Sequence, residues 1–160
     1  MLQTCVEDVL YFGDLASCTP ENRRKFAVVH ACKEPCHRHA VGYQQKSLNK
    51  AHPYYLSFEK DDNLYLNVID PPVPLFQTES FQIFLKFAKA AKEKGKPVLV
   101  HCNQGQSRAP SFALLFMAKG LGLLPNESYV AARKAFEEKF SYMPGAGIAK
   151  FLETNWEKLD

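Results

Sequence analysis

Pro97-Val98-Leu99-Val100-His101-Cys102-Asn103-Gln104-Gly105-Gln106-Ser107-Arg108-Ala109-Pro110-Ser111 reads as a strand, a tight loop and a helix start. Val98, Leu99 and Val100 form a short apolar run of the kind that fills a buried strand. Pro110 lies where a first helical turn tolerates proline, and an apolar run from Phe112 to Met117 continues the helix. Between strand and helix stand Cys102 and Arg108, with Gly105 in the middle of the loop. A loop closing around an anion at this place aims its backbone N–H groups and the helix N-terminus at one point. Cys102 then lies at the bottom of the cradle as a thiolate, and Arg108 grips two oxygens of a bound phosphate.

Outward from this segment the chain alternates between apolar runs and breakers. Val6 to Phe12 reads as a first strand, ended by Gly13-Asp14, and Pro20 to Lys25 as a short helix. Phe26 to Cys32 is apolar enough for a central strand. Residues 33–53 carry no clear period. Tyr54–Phe58 and Leu64–Ile69 read as a hairpin-like pair around the polar turn Glu59 to Asn63. Asp70-Pro71-Pro72-Val73-Pro74 is a stiff loop, because proline fixes φ and cannot extend a sheet interior. Thr78 is the expected N-cap of a helix through Lys94, stopped by Gly95. Beyond the loop, a helix to about Gly120 is followed by one opened by Pro125-Asn126 and running through Phe140. Met143-Pro144-Gly145 breaks the chain before a last helix over Ile148 to Leu159. The pattern predicts an α/β fold: a central mixed sheet flanked by helices on both faces, with a phosphate-binding loop between a central strand and the following helix.

At 160 residues, residues 1–160 are expected to form one domain. An apolar share of 46%, a charged share of 23% and a net charge of +3 are ordinary for a soluble chain and do not call for nucleic acid. No apolar run reaches membrane-spanning length, and Met1-Leu2-Gln3-Thr4 opens no signal peptide. Five cysteines without a secretion signal point to reduced thiols and a cytoplasmic location.

The segment His101-Cys102 to Arg108 resembles the His-Cys-x5-Arg loop of the cysteine-dependent protein phosphatases. Gly105-x-Ser107-Arg108 is most similar to the small dual-specificity branch, as is the opening stretch Val9 to Asp14. The resemblance implies a phosphomonoesterase that forms a phosphocysteine. Cys102 is the nucleophile, Arg108 and the loop Asn103, Gln104, Gly105, Gln106 and Ser107 bind phosphate, and His101 orients the cysteine backbone. Asp70, at the family's distance upstream of the cysteine, is the candidate general acid that protonates the leaving oxygen and then activates water. With Cys102 deprotonated and Asp70 protonated, kcat/KM is expected to peak at mildly acidic pH. No cofactor and no metal are implied. Where the family usually has Ser or Thr after the arginine, this chain has Ala109, which predicts a slowed second step. Ser111 is not expected to replace that hydroxyl.

The uncharged Asn103, Gln104 and Gln106 favour a phosphorylated protein or peptide, or another monoester of low charge, over highly anionic inositol phosphates. The resemblance implies a shallow site open to phosphotyrosine and to phosphoserine or phosphothreonine; separately, a monomer is expected. Two alternatives stand beside this reading: an RNA 5′-phosphatase of the same superfamily, and a phosphate-binding module of low turnover. Arg23, Arg24, Lys25, Arg38, Lys46 and Lys50 are the residues that could form the basic patch the RNA reading needs, but solvated surface is the plainer account of most of them. Cys32-x3-Cys36-His37-x-His39 has metal-ligand residue types without a standard finger spacing, so no metal is assigned there. Cys36 is a conceivable redox partner of Cys102, although the sequence does not place the two together.

Overall fold

The computed structural model describes residues 2–160. Its centre is a six-stranded mixed sheet in the order β1-β2-β6-β3-β5-β4. The strands are β1 (Leu2–Val6), β2 (Leu10–Gly13), β3 (Ala27–Ala31), β4 (Ser57–Lys60), β5 (Asn63–Leu66) and β6 (Val98–His101). Neighbours β2, β6, β3 and β5 run parallel, while β1 and β4 are antiparallel edges. The helices are α1 (Pro20–Lys25), α2 (Arg38–Val41), α3 (Thr78–Glu93), α4 (Arg108–Leu115), α5 (Tyr129–Glu137) and α6 (Ala146–Asn155).

The period of two along each strand sorts the sheet into unlike faces. Leu10, Phe12, Ala27, Val29, Leu64, Leu66, Val98 and Val100 join one large core with Phe81, Phe84, Phe112 and Phe116 of the α3 and α4 layer. The alternate positions give a much smaller apolar group of Phe26, Val28 and Leu99, with Tyr11 against it. The same face carries the buried polar residues His30, Asn63 and His101. His30 donates from Nε2 to Asn63 Oδ1 at 2.9 Å and stacks on Tyr65 with ring centroids 4.3 Å apart.

Several boundaries differ from the sequence reading. The expected strand Val6–Phe12 is two strands joined by a turn. Asp8 there has φ +62°, and Val9 N–H bonds Val6 O at 3.0 Å. The polar pair Glu7-Asp8 interrupts the apolar run and permits that turn. The hairpin β4–β5 forms, but Tyr54 and Tyr55 lie before it, and Glu59, Lys60 and Asn63 pair within it. Its reversal is only Asp61-Asp62, both at positive φ, the geometry of a tight two-residue hairpin turn. Gln77, not Thr78, occupies the N-cap position of α3. Ser128, not Pro125-Asn126, caps α5 by accepting Ala131 N–H at 3.1 Å, and α5 ends at Glu137, short of Phe140. Residues 33–53 form a wide turn over Lys33–His37 and then α2, closed by Gly42 at φ +92°.

Candidate active site

Parallel strands aim their C-terminal ends at one edge of the sheet, and β6 delivers Cys102 there. Cys102 N–H bonds Gly13 O at 3.3 Å, and Asn103 O accepts Leu15 N–H at 3.1 Å, so the end of β2 holds the first part of the loop. Gly105 then turns back at φ +73°. A Cβ there would lie 3.1 Å from the Gly13 carbonyl carbon and oxygen, so the turn needs both glycine's backbone freedom and its lack of bulk. The reversal points Gly105 N–H at Cys102 Sγ, at 3.3 Å. Ala109 N–H, in the first turn of α4, reaches the same sulfur at 3.4 Å. The thiol is 2% exposed at the floor of a cleft of about 350 Å³.

Asp70, Asn103, Gln104, Gln106, Ser107, Arg108, Met143 and Gly145 complete the lining of that cleft. Thus Asp70, far from Cys102 in sequence, shares one cavity with it. Arg108 donates from Nη1 to Val68 O at 3.0 Å and from Nη2 to Asn103 Oδ1 at 2.6 Å. The guanidinium is thereby tied to the segment that leads from β5 into Asp70. Asn103 Nδ2 donates to Glu34 O at 3.0 Å, joining the loop to the wide turn after β3.

In sequence, Met143-Pro144-Gly145 reads only as a break before the last helix. It is the second wall of the site. Met143 N–H bonds Gln106 O at 2.9 Å, and Gly145 N–H bonds Ser107 Oγ at 2.8 Å. A Cβ on Gly145 would stand 2.4 Å from Asp70 Oδ1, and one on Gly147 2.3 Å from the carbonyl oxygens of Pro71 and Val73. The glycine pair Gly145-Ala146-Gly147 lets α6 press against the loop that carries Asp70. That Gly-x-Gly pair is the signal in the sequence that could have marked the wall.

His101 lies behind the cysteine, fully buried, with Nδ1 3.2 Å from Cys102 O. Burial holds its pKa below the usual histidine value. Burial, and next the neighbouring His101, pull His30 down to about 3. Cys32 donates to Glu34 O at 2.8 Å and lies 3.5 Å from Asn103 Oδ1. A thiol hydrogen bond from Cys36 draws the Cys32 pKa down, and Cys32 pushes that of Cys36 up. The cysteines and histidines of residues 32–39 do not converge as a group. His37 is buried between Tyr54 O, at 2.8 Å, and Tyr43 OH, at 2.9 Å. Ser111 Oγ is engaged by Ser107 O at 2.7 Å and Tyr142 OH at 2.6 Å.

No family model matches the sequence, and no curated protein matches it. Solved structures do. Human tyrosine phosphatase-like serine/threonine/tyrosine-interacting protein aligns at TM-score 0.66 and 19% identity, over 99% of this chain and 96% of that one. Human DUSP28 aligns at 0.65 and 18%, over 99% and 94%. The Yvh1 phosphatase domain from Chaetomium thermophilum aligns at 0.63 and 15%, over 99% and 98%. The resemblance read from the Cys102–Arg108 loop therefore extends to the architecture: the chain has the fold of the small dual-specificity phosphatases.

Proposed function

We propose that the protein is a cysteine-dependent phosphomonoesterase that acts on phosphotyrosine, and on phosphoserine or phosphothreonine, in proteins or peptides. The observation that carries this reading is the convergence of two backbone N–H groups on Cys102 Sγ in a cleft shared with Arg108 and Asp70. Gly105 N–H and Ala109 N–H, at the start of α4, place hydrogen-bond donors around the sulfur that attacks phosphorus and later leaves it. A phosphoryl group entering the cleft meets the loop N–H groups and Arg108, which exchanges its bond to Asn103 for phosphate oxygens.

In the first step the Cys102 sulfur bonds to phosphorus as the ester P–O bond breaks, and Asp70 gives its proton to the leaving oxygen. In the second, the Asp70 carboxylate takes a proton from water, whose oxygen displaces the cysteine sulfur and frees phosphate. His101 holds the Cys102 carbonyl from behind. The neutral side chains of Asn103, Gln104 and Gln106 suit a monoester of low charge, and the absence of a lysine from this part of the loop argues against polyanions.

Hydrolysis of p-nitrophenyl phosphate and of a phosphotyrosine peptide across pH tests the assignment. Wild-type protein is expected to be active with a mildly acidic optimum, Cys102→Ser to be inactive, and Asp70→Asn to be slowed ~10²–10⁴-fold. A wild-type protein that binds the phosphopeptide without turning it over would remove the enzyme reading and leave a phosphate-binding module. Loss of activity in Cys102→Ser but not in Asp70→Asn would move the acid to another residue.

A further inference from the structure

Behind the phosphate loop, on the polar face of the sheet, Cys18, His30 and His101 bring one ligand atom each to within 4.8 Å of one another. Cys18 Sγ is 3.7 Å from His30 Nδ1, His30 Nδ1 is 2.7 Å from His101 Nε2, and Cys36 Sγ is 3.9 Å from the same His101 nitrogen. These residues come from four places: the turn before α1, strand β3, the wide turn after β3 and the end of β6.

The hydrogen bonds around the two rings fix which nitrogens carry protons. Asn63 Nδ2 donates to Asp61 O, so its Oδ1 is the acceptor facing His30, and His30 Nε2 carries the hydrogen. Cys102 O can only accept, so His101 Nδ1 carries the hydrogen on that ring. The remaining nitrogens, His30 Nδ1 and His101 Nε2, then face each other at 2.7 Å with a lone pair each. Such an approach calls for a hydrogen or a metal ion between them, supplied by the other tautomer of one ring or by a bound cation. Each ring also gives its other N–H to an oxygen acceptor, the arrangement that orients metal-binding histidines.

We infer that Cys18, His30 and His101 form the core of a binding site for a thiolate-accepting divalent metal ion of the zinc type, and that Cys36, now 3.9 Å from His101 Nε2 with its thiol directed at Cys32, turns in as the fourth ligand. Tetrahedral zinc with Zn–S of ~2.3 Å and Zn–N of ~2.0–2.1 Å sets ligand separations of ~3.6 Å for sulfur to nitrogen and ~3.3 Å for nitrogen to nitrogen. The Cys18–His30 distance of 3.7 Å already fits, and the Cys36–His101 distance of 3.9 Å exceeds the zinc separation by about 0.3 Å. The histidine pair opens by about 0.6 Å as the ion replaces the short contact. On binding, each cysteine thiol releases its proton to solvent, and two thiolates neutralise the dication. A cavity of about 500 Å³ lined by Leu15, Cys18, Arg23, His30, Cys36 and Tyr65, among others, gives the ion its entry from outside. His101 is shared between this site and the Cys102 carbonyl, so an ion here braces the strand end beneath the phosphate loop from behind. The site stands on the opposite side of His101 from the cleft and does not depend on phosphatase activity.

Cobalt(II) spectroscopy tests it without any activity readout. Reduced, chelator-stripped full chain without a histidine tag is titrated with Co²⁺, then with Zn²⁺. The expected result is one equivalent of Co²⁺ with intense visible bands of a tetrahedral site and thiolate-to-cobalt charge transfer, abolished by one equivalent of Zn²⁺. Cys18→Ser and Cys36→Ser are each expected to weaken binding by more than ~10-fold, while Cys5→Ser and Cys102→Ser retain the spectrum. Cys18 is only part-buried, so its serine variant tests the ligand with little threat to folding. Absence of a tetrahedral spectrum in the wild type overturns the inference and leaves a hydrogen-bonded histidine pair. A spectrum lost with Cys102→Ser but kept in both Cys18→Ser and Cys36→Ser also overturns it, by moving the metal to the phosphate loop.

Discussion

Two residues of the loop show where single side chains decide the site. Gly105 combines φ +73° with a backbone wall 3.1 Å from its would-be Cβ, whereas Gly122 has φ +64° and open space around it. Gly122→Ala therefore incurs only left-handed strain, and Gly105→Ala incurs strain plus collision with the end of β2. Chemical denaturation is expected to show Gly105→Ala destabilised by about 1–3 kcal/mol and more than Gly122→Ala; equal losses would mean that the loop relaxes around the methyl group. Ala109 is the second case. Its N–H reaches Cys102 Sγ, but its side chain offers no hydroxyl, and Ser111 is committed to Ser107 and Tyr142. Under the proposed cycle the sulfur leaves phosphorus with less stabilisation in the second step than in the first. Stopped-flow hydrolysis of p-nitrophenyl phosphate should give a burst followed by a slower steady state, and Ala109→Ser should raise the steady-state rate and shrink the burst. An unchanged or lower rate would mean that phosphocysteine breakdown does not limit turnover. The grouping of Cys102, Gly105 and Arg108 was legible because the motif is contiguous in sequence. Gly145 and Gly147 were not, because their constraint comes from a loop distant in the chain.

Elements with a strong period were legible, and those set by tertiary contact were not. The apolar face of α3, at Phe81, Phe84, Leu85, Ala88 and Ala91, is buried as its spacing predicts. The segment 33–53 has no such period, because its order comes from contacts such as His37 with Tyr43 and Tyr54, which no local pattern announces. The β4–β5 hairpin lies between these cases: its pairing was legible, its register was not. Its Asp61-Asp62 turn is further tied to the end of α3 and the start of β6, since Asp62 pairs with Lys94 at 3.1 Å and Lys96 at 3.0 Å. Lys96, then Lys94, hold the Asp62 carboxyl below its ordinary value of 3.8. A carboxyl depressed in the folded state contributes stability above its unfolded pKa and loses it as pH falls through the folded one. Asp62→Asn is thus expected to lower stability at neutral pH by less than ~1 kcal/mol, since the pairs are exposed, and to flatten the loss below about pH 4. High salt should shrink the difference. Urea titrations of both proteins at pH 3, 5 and 7 check this; a variant whose deficit persists at pH 3 would assign the effect to turn geometry rather than charge.

At the scale of the whole molecule, the two faces of one sheet carry unlike chemistry. The α3 to α6 face is built from phenylalanine and leucine and supplies the apolar burial that stabilises the fold. The opposite face gives up apolar area to His30, Asn63, His101 and Tyr65 under a cover that includes Cys18, Arg23 and Cys36. That juxtaposition was invisible in the sequence. His30 and His101 are 71 positions apart and meet only because β3 and β6 are parallel neighbours in register. A metal ion bound there would tie the turns that carry Cys18 and Cys36, which lie outside the large apolar core, to β3 and β6, so it should stabilise the native state through linkage. Zinc at 100 times its dissociation constant would add about 2.7 kcal/mol, raising Tm by roughly 5–10 °C for a chain of this size. Protons compete for the two thiolates and two imidazoles, so the gain should shrink as pH falls from 8 toward 5. Scanning calorimetry of zinc-loaded and chelator-treated protein at those pH values checks this. A Tm gain independent of pH, or one retained in Cys18→Ser, would point to stabilising ligands other than these thiolates and imidazoles. A gain that follows the expected pH course would identify the polar face as a second source of stability for the strand that carries Cys102.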